Sequence, residues 1–306
     1  MRERDITKRR QLPRLLALPL AFSSLALPLL TGCVVHTRIV KQVKMPTVVL
    51  TATADDLVKS INIRCQEIHS MSATVQFQVI EGGPNKGKVR TINDFSGYIL
   101  MRQPESLRVI VQLPVLHTRA LDMASDGKNF KLWIPSRNKL YEGSNTVTKE
   151  SPNVLENFRP SIFANSLLID CIDADDLVTL TSDTKTELDA KSKQMMVRPE
   201  YDLAVVRRKE NSQELVTERV IHFNRVDLQP FQEDIYDPKG AIQTVAIYGP
   251  MQTFGPQNFP GTITIKRPLE ELQFVITFSK VTTNLTLDDQ TFELKTPENV
   301  VVQKLE

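Results

Sequence analysis

Clusters of residues that carry chemistry are scarce in this chain. Its 306 residues hold 4 histidines and 3 cysteines. His36, His69, His117 and His222 are scattered, and none stands in an H-x-x-x-H or similar metal-ligand spacing. They read as surface or hydrogen-bonded histidines. There is no G-x-S-x-G elbow and no glycine-rich loop to cradle a phosphate. Asp173, Asp175 and Asp176 follow Cys171, but the further oxygen ligands and the glycine turn of a calcium loop are missing, so helix capping is the simpler reading. No catalytic set, metal site or cofactor is expected. Nor is nucleic acid, because no dense basic stripe exists outside the first residues.

A long apolar run able to cross a membrane is also lacking. Leu15 to Leu30 carries no charge but holds Pro19 and Pro28. At roughly 1.5 Å per residue it is too short for a ~30 Å hydrocarbon core. Arg2, Arg4, Lys8, Arg9, Arg10 and Arg14 precede it, offset only by Glu3 and Asp5. A basic segment, an apolar segment and then small residues make an export signal.

The signal ends in Leu30-Thr31-Gly32-Cys33, which resembles the lipobox of bacterial lipoproteins. The resemblance implies cleavage after Gly32, a diacylglyceryl group on the Cys33 thiol, and acyl chains such as palmitate on the new amino terminus. A plain secretory signal that happens to contain a cysteine is the alternative. One acyl chain holds a protein to a bilayer marginally, whereas two or three hold it stably. Residues 1–32 are thus expected to be a signal peptide, and 33–53 a lipidated start and tether. Val34 stands where enterobacterial inner-membrane lipoproteins carry aspartate, which leans toward the outer membrane, facing the periplasm. Without residues 1–32 the formal charge changes from +2 to about −2, so the basic balance belongs to the signal.

Cys65 and Cys171 remain in the mature chain. In an oxidising compartment they can pair. The alternative is two separate buried thiols, and nothing in the sequence fixes their distance.

Ala54 to Ser70 places Leu57, Ile61, Cys65 and Ile68 at helical spacing, with Thr53 or Asp55 as cap. The period then changes to two: Val75, Phe77 and Val79 alternate with Thr74, Gln76 and Gln78. Strands follow one another without intervening helices, which argues for an antiparallel meander. A helical interruption starts near Ser151-Pro152 and carries Phe158, Ile162, Phe163 and Leu167, broken near Pro160. "ADDLVTL" starts another short helix or a strand. Strand periodicity resumes after Met195, interrupted by the Pro/Gly-rich "YGPMQTFGPQNFPG". About ten or eleven strands and two helical segments are expected, in one mainly-β domain over 54–306.

The order helix, strand, hairpin loop, "FSGYILMRQPESLRV", "TRALDMASDGKNFKLWIPSRNKLYEG" resembles the LolA/LolB-like family of lipoprotein carriers and their outer-membrane relatives. So does the closing "LDDQTFELKTPENVVVQ", with Phe292 and Pro297. The resemblance implies an incomplete antiparallel barrel with a helical lid over its hollow face. It also implies acyl chains of a lipid or lipoprotein as cargo. Phe77, Tyr98, Trp133, Phe158 and Phe163 are the candidates to line the cavity, with ordinary core packing as the alternative. The soluble carriers have an arginine directly before the turn proline, where this chain has Gln103. Two functions are therefore expected in competition. One is a lipid-anchored, non-enzymatic binder of acyl chains; the other is an assembly lipoprotein with a filled core that acts through protein partners in the envelope.

Overall fold

The computed structural model describes residues 43–145, 159–189, 192–209 and 211–305. Helix α1 (Ala54–Glu67) begins at Thr53, whose side-chain oxygen accepts from the Asp56 amide at 3.2 Å, while Asp56 accepts from the Thr53 amide at 2.9 Å. This reciprocal capping satisfies two of the amides that a helix start leaves open. Strands β1 (Ser70–Gly83), β2 (Lys88–Arg102), β3 (Ser106–Gln112), β4 (Arg119–Ser125), β5 (Asn129–Ile134) and β6 (Lys139–Ser144) follow as a meander. A second helix, α2 (Ser161–Leu167), interrupts them.

The second series is β7 (Leu177–Leu188), β8 (Met195–Arg208), β9 (Leu215–Asn224), β10 (Gln229–Tyr236) and β11 (Ile242–Tyr248). A hairpin of β12 (Met251–Phe254) and β13 (Gln257–Pro260) comes next, then β14 (Thr262–Arg267), β15 (Leu272–Thr283) and β16 (Val301–Leu305). Fourteen strands join in one sheet, ordered β16-β6-β5-β4-β3-β2-β1-β15-β14-β11-β10-β9-β8-β7. Among the described strands every pairing is antiparallel except β16 on β6, and Lys44 makes an isolated parallel bridge to Met196. β1 is the hinge of the order: β2 lies on one side and β15 on the other. Among the described residues β16 and β7 pair with no further strand, so the sheet is an incomplete barrel.

Among the described residues sixteen strands stand where the spacing predicts ten or eleven. "ADDLVTL" leads into β7, an edge strand whose residues are mostly exposed on both faces, so no alternation marks it. β12 and β13 are four residues each and lie inside the segment that reads as a turn. The three aspartates after Cys171 cap no helix. Asp176 instead accepts from the Asp173 amide at 2.9 Å in the turn before β7.

Alternation along β1 buries Met71, Ala73, Val75 and Phe77 on the inner face. They form the main core with Ile99, Leu107, Ile263 and Ile276, and α2 adds Phe163 and Leu167. α1 buries Leu57 and Ile61 on Leu203, Val205, Ile221 and Phe223 of β8 and β9. Each such side chain contributes about 1.5–3 kcal/mol by leaving water. The outer face of β4 to β6 has its own cover: Ala124, Trp133 and Leu140 pack on Leu294 and Val300 of the closing segment. Arg108 forks onto the fully buried Asp122 at 3.1 and 3.0 Å and donates to the Thr291 carbonyl at 2.9 Å, which pins that cover.

Residues 43–53, within the segment expected as a tether, lie along the body. The Lys44 amide donates to the Met195 carbonyl, and the Lys44 carbonyl accepts from Val197, both at 3.0 Å. The Leu50 amide donates to the Arg225 carbonyl at 2.6 Å. Here β9 has ended, and residues 44–50 take its place beside β8.

Candidate functional site

On the inner face, α1 and the β12–β13 hairpin face each other beside the main core. There a pocket of about 420 Å³ opens. Ile61 and Ile68 form one wall, Leu168 and Ile169 after α2 form another, and Met251 and Phe259 of the hairpin close the third. Its volume is within the range of small-molecule sites, about 300–1,000 Å³. A larger cavity of about 610 Å³ lies between β4–β6, β16 and the closing segment. Lys131, Glu142, Glu293, Lys295 and Lys304 line that one together with Phe130, Phe292, Leu294 and Leu305, and it lies on the outer face, away from both helices.

The helix over the smaller pocket is held along its last two turns, where Asn284 Nδ2 also donates to the Glu67 carbonyl at 2.8 Å. Cys65 is joined to Cys171 by a disulfide, with Cα atoms 5.4 Å apart. One turn earlier, the Asn62 amide group donates to the Ile172 carbonyl at 2.9 Å and accepts from the Ile172 amide at 2.8 Å. Arg64 donates to the Gln229 side chain across the pocket mouth. Gln103 Nε2 donates to the Cys65 carbonyl at 3.0 Å, on the last turn of α1. Gln103, in place of the carriers' arginine, thus reaches the helix itself. Arg102 points to the other face, where it pairs with Asp289 at 2.6 Å and lies over the Phe292 ring.

Behind the pocket a polar group of four residues gathers around the buried Glu233. Tyr248, in the pocket wall, donates to Glu233 Oε2 at 3.2 Å. Arg219 lies 3.4 Å from Glu233 Oε1 and donates to the Asp170 and Cys171 carbonyls at 3.2 and 2.9 Å. Burial pushes the Glu233 carboxyl up to about 7, against the opposing charge of Arg219. Burial raises Asp170 and Tyr248 as well. Arg219 therefore fixes the chain that carries Cys171, and through the disulfide it fixes α1.

On the outer face, β8, β9 and β10 bring Asp202, His222 and Asp234 together. His222 Nδ1 is 2.7 Å from Asp202 and Nε2 is 3.2 Å from Asp234. Burial alone would lower the imidazole, but the hydrogen bonds and charges of Asp234 and Asp202 outweigh it and raise it. Ligand atoms of Glu200, Asp202 and His222 lie within 4.8 Å of one another, as a metal set would require. Their existing bonds oppose that use. Glu200 is held by Lys185 and by Arg198, and both ring nitrogens of His222 are engaged by carboxylates. An imidazolium that donates Nδ1–H to Asp202 and Nε2–H to Asp234 fits these residues better than a metal ligand, which needs a free ring nitrogen.

The residues singled out from the sequence are spread over both faces. Phe77 and Phe163 are buried in the main core, where the Phe163 and Phe274 rings are 5.4 Å apart. Tyr98 is exposed and Trp133 packs under the closing segment, both on the outer face. None of these four lines the 420 Å³ pocket. Cys33 and Phe158 lie outside the described residues. The pocket is built instead from Ile68, Tyr248, Met251 and Phe259. Phe259, stacked edge-on to Phe278 at 5.0 Å, is the one that the apolar residues of the "turn" segment could have signalled.

No family model matches the chain, and no curated protein does. Solved structures do. A DUF1329 family protein from Desulfovibrio piger aligns with a TM-score of 0.50 at 14% identity, over 78% of this chain and 95% of its own. A LolA superfamily protein from Nitrosomonas europaea aligns with a TM-score of 0.48 at 13% identity, over 80% and 99%. The likeness is one of fold.

Proposed function

We propose that this chain is a lipid-anchored, periplasm-facing envelope protein that shelters one acyl chain of a lipid or lipoprotein in the pocket under α1. The pocket itself carries this reading: about 420 Å³ on the helix-covered face of an open sheet, with Ile61, Ile68, Leu168, Ile169 and Phe259 in its lining beside the polar Arg64, Glu67, Gln229, Gln257 and Asn258. A chain seated there would bury its methylenes on Ile61, Ile68, Leu168, Ile169 and Phe259 at about 0.8 kcal/mol each. The Cys33 lipobox supplies the anchor, and the outer membrane is the destination that Val34 favours. The mechanism is reversible burial without covalent chemistry.

The test is native mass spectrometry of the Cys33→Ser chain, which has no acyl group of its own. Co-purifying lipid in the wild-type pocket, lost in Leu168→Trp, is the expected result. Lipid-free protein in both overturns the reading. A second reading has one observation in its favour: Phe77, Phe163 and their neighbours are buried together in a packed core. An assembly protein acting through partners needs no cavity, and it would be lipid-free in the same experiment while co-isolating envelope proteins after cross-linking.

A further inference from the structure

We infer that a strip made by residues 45–50 and the Leu188/Met195 end of β7 and β8 lies on the bilayer that holds the anchor, and fixes how the body is presented to the periplasm. The inference rests on the proposed Cys33 anchor and goes beyond the pocket.

The strip is apolar and open to solvent. Met45 is 64% exposed, Val48 55% and Leu188 59%, and Val49 and Leu50 are exposed as well. Hydrogen bonds make it one surface rather than scattered side chains. Lys44 bridges Met195 and Val197, Met195 is the register partner of Leu188, and the Leu50 amide binds the Arg225 carbonyl beside the exposed Val226. Six large apolar side chains thus share one end of the β7–β8–β9 region. Exposed Lys44 and Lys193 flank them. Exposed apolar side chains gathered at one edge, with charges of both signs around them (Lys44, Lys193, Glu187 and Asp189), suit a peripheral contact with a zwitterionic and anionic lipid surface.

Chain length selects the occupant. Cys33 precedes Val43 by ten residues, a contour of at most about 35 Å. Val43 leads directly into the strip, so an acylated Cys33 keeps these side chains within that reach of the lipid headgroups at all times. At such confinement even weak apolar contacts are repeatedly made, because the second contact is intramolecular. The loop Leu113–His117 also exposes apolar side chains, Val115 and Leu116. Among the described residues no backbone hydrogen bond joins that loop to residues 43–53, whereas the strip is bonded to them at Lys44.

The experiment uses the lipidated full chain in vesicles of phosphatidylethanolamine and phosphatidylglycerol with brominated acyl chains. In Leu188→Trp the introduced indole should shift to shorter wavelength and lose most of its emission, beyond any change seen with the native Trp133. In Leu116→Trp no such loss is expected. Hydrogen exchange of residues 45–50 should slow in vesicles relative to detergent, and Met45→Glu with Leu188→Glu should abolish that slowing while the protein stays vesicle-bound. Protein that floats with the vesicles while the indole in Leu188→Trp keeps its emission overturns the inference and leaves the anchor standing. Quenching of Leu116→Trp in its place overturns it as well. Protein that does not float at all overturns the anchor, and this inference with it.

Discussion

Glu233→Gln should make the protein more stable above neutral pH and leave it little changed in acid. Glu233 is 1% exposed, and the facing groups are Tyr248 and one Arg219 nitrogen at 3.4 Å, too long for a strong ion pair. Its carboxyl titrates near 7 in the fold against 4.5 ordinarily. Below pH 4.5 it is neutral folded and unfolded, and costs nothing. Between 4.5 and 7 the unfolded chain ionises while the folded one holds its proton, so stability falls as pH rises. Above 7 the loss levels off at roughly 3 kcal/mol. Glutamine keeps the shape and a hydrogen-bonding oxygen but has nothing to ionise. Urea denaturation at pH 4.5, 6 and 8 reads the difference from the transition midpoints. Wild type should lose stability across this range, and Glu233→Gln should lose about 3 kcal/mol less. Equal slopes for the two proteins would refute the argument, for they would mean that Arg219 fully offsets burial.

Three further outcomes follow from the same geometry. His222→Gln should remove a second acid-favoured contribution. The raised imidazole stabilises fully below its ordinary 6.5 and ceases to as pH rises through its folded value, so the variant's deficit in urea midpoint should be larger at pH 5 than at pH 9. Cys65→Ser with Cys171→Ser opens a link across 106 residues and should cost about 3 kcal/mol in the same assay. Arg108→Leu leaves the buried Asp122 with only the half-exposed Arg119 at 3.0 Å, and should cost about 3 kcal/mol, read as a fall in melting temperature.

What could be read from the sequence was local. Thr53 with Asp56 three residues on, ahead of Leu57, Ile61 and Cys65, marked α1 to within three residues, because capping and one buried stripe are both short-range. Alternation in β1 was legible because one of its faces is core. β7 was not, since an edge strand exposed on both sides has no reason to alternate. β16 was invisible for a different cause: it is held by a parallel partner, β6, far back in the chain. The pocket failed for a third reason. Aromatic residues on alternating strands are the same types whether they fill a core or line a hollow, and only the packing of α2 decided that Phe77 and Phe163 do the former. Arg219, Glu233 and Tyr248 meet across β9, β10 and β11, and His222 meets Asp202 and Asp234 across three strands. No spacing encodes those encounters.

The ties on α1 also decide which wall of the pocket can yield. Lifting the helix would require breaking the Cys65–Cys171 link, both Asn62–Ile172 hydrogen bonds, the Gln103 bond to Cys65 and the Arg64 bridge to Gln229. At about 1 kcal/mol net for each hydrogen bond, the non-covalent part alone disfavours opening by several kcal/mol, before the buried Leu57 and Ile61 are counted. The opposite wall is a two-stranded hairpin of four-residue strands, outside the main sheet. An isolated ribbon of that size has little stability of its own, and its inner contact is Phe259 on Phe278. A chain entering the pocket, as proposed, would therefore displace the β12–β13 hairpin rather than α1. Hydrogen exchange separates the two: amides of Met251–Pro260 should exchange orders of magnitude faster than those of Leu57–Cys65. Equal protection of both would mean that the pocket opens as one unit, and the lid would then be the helix after all.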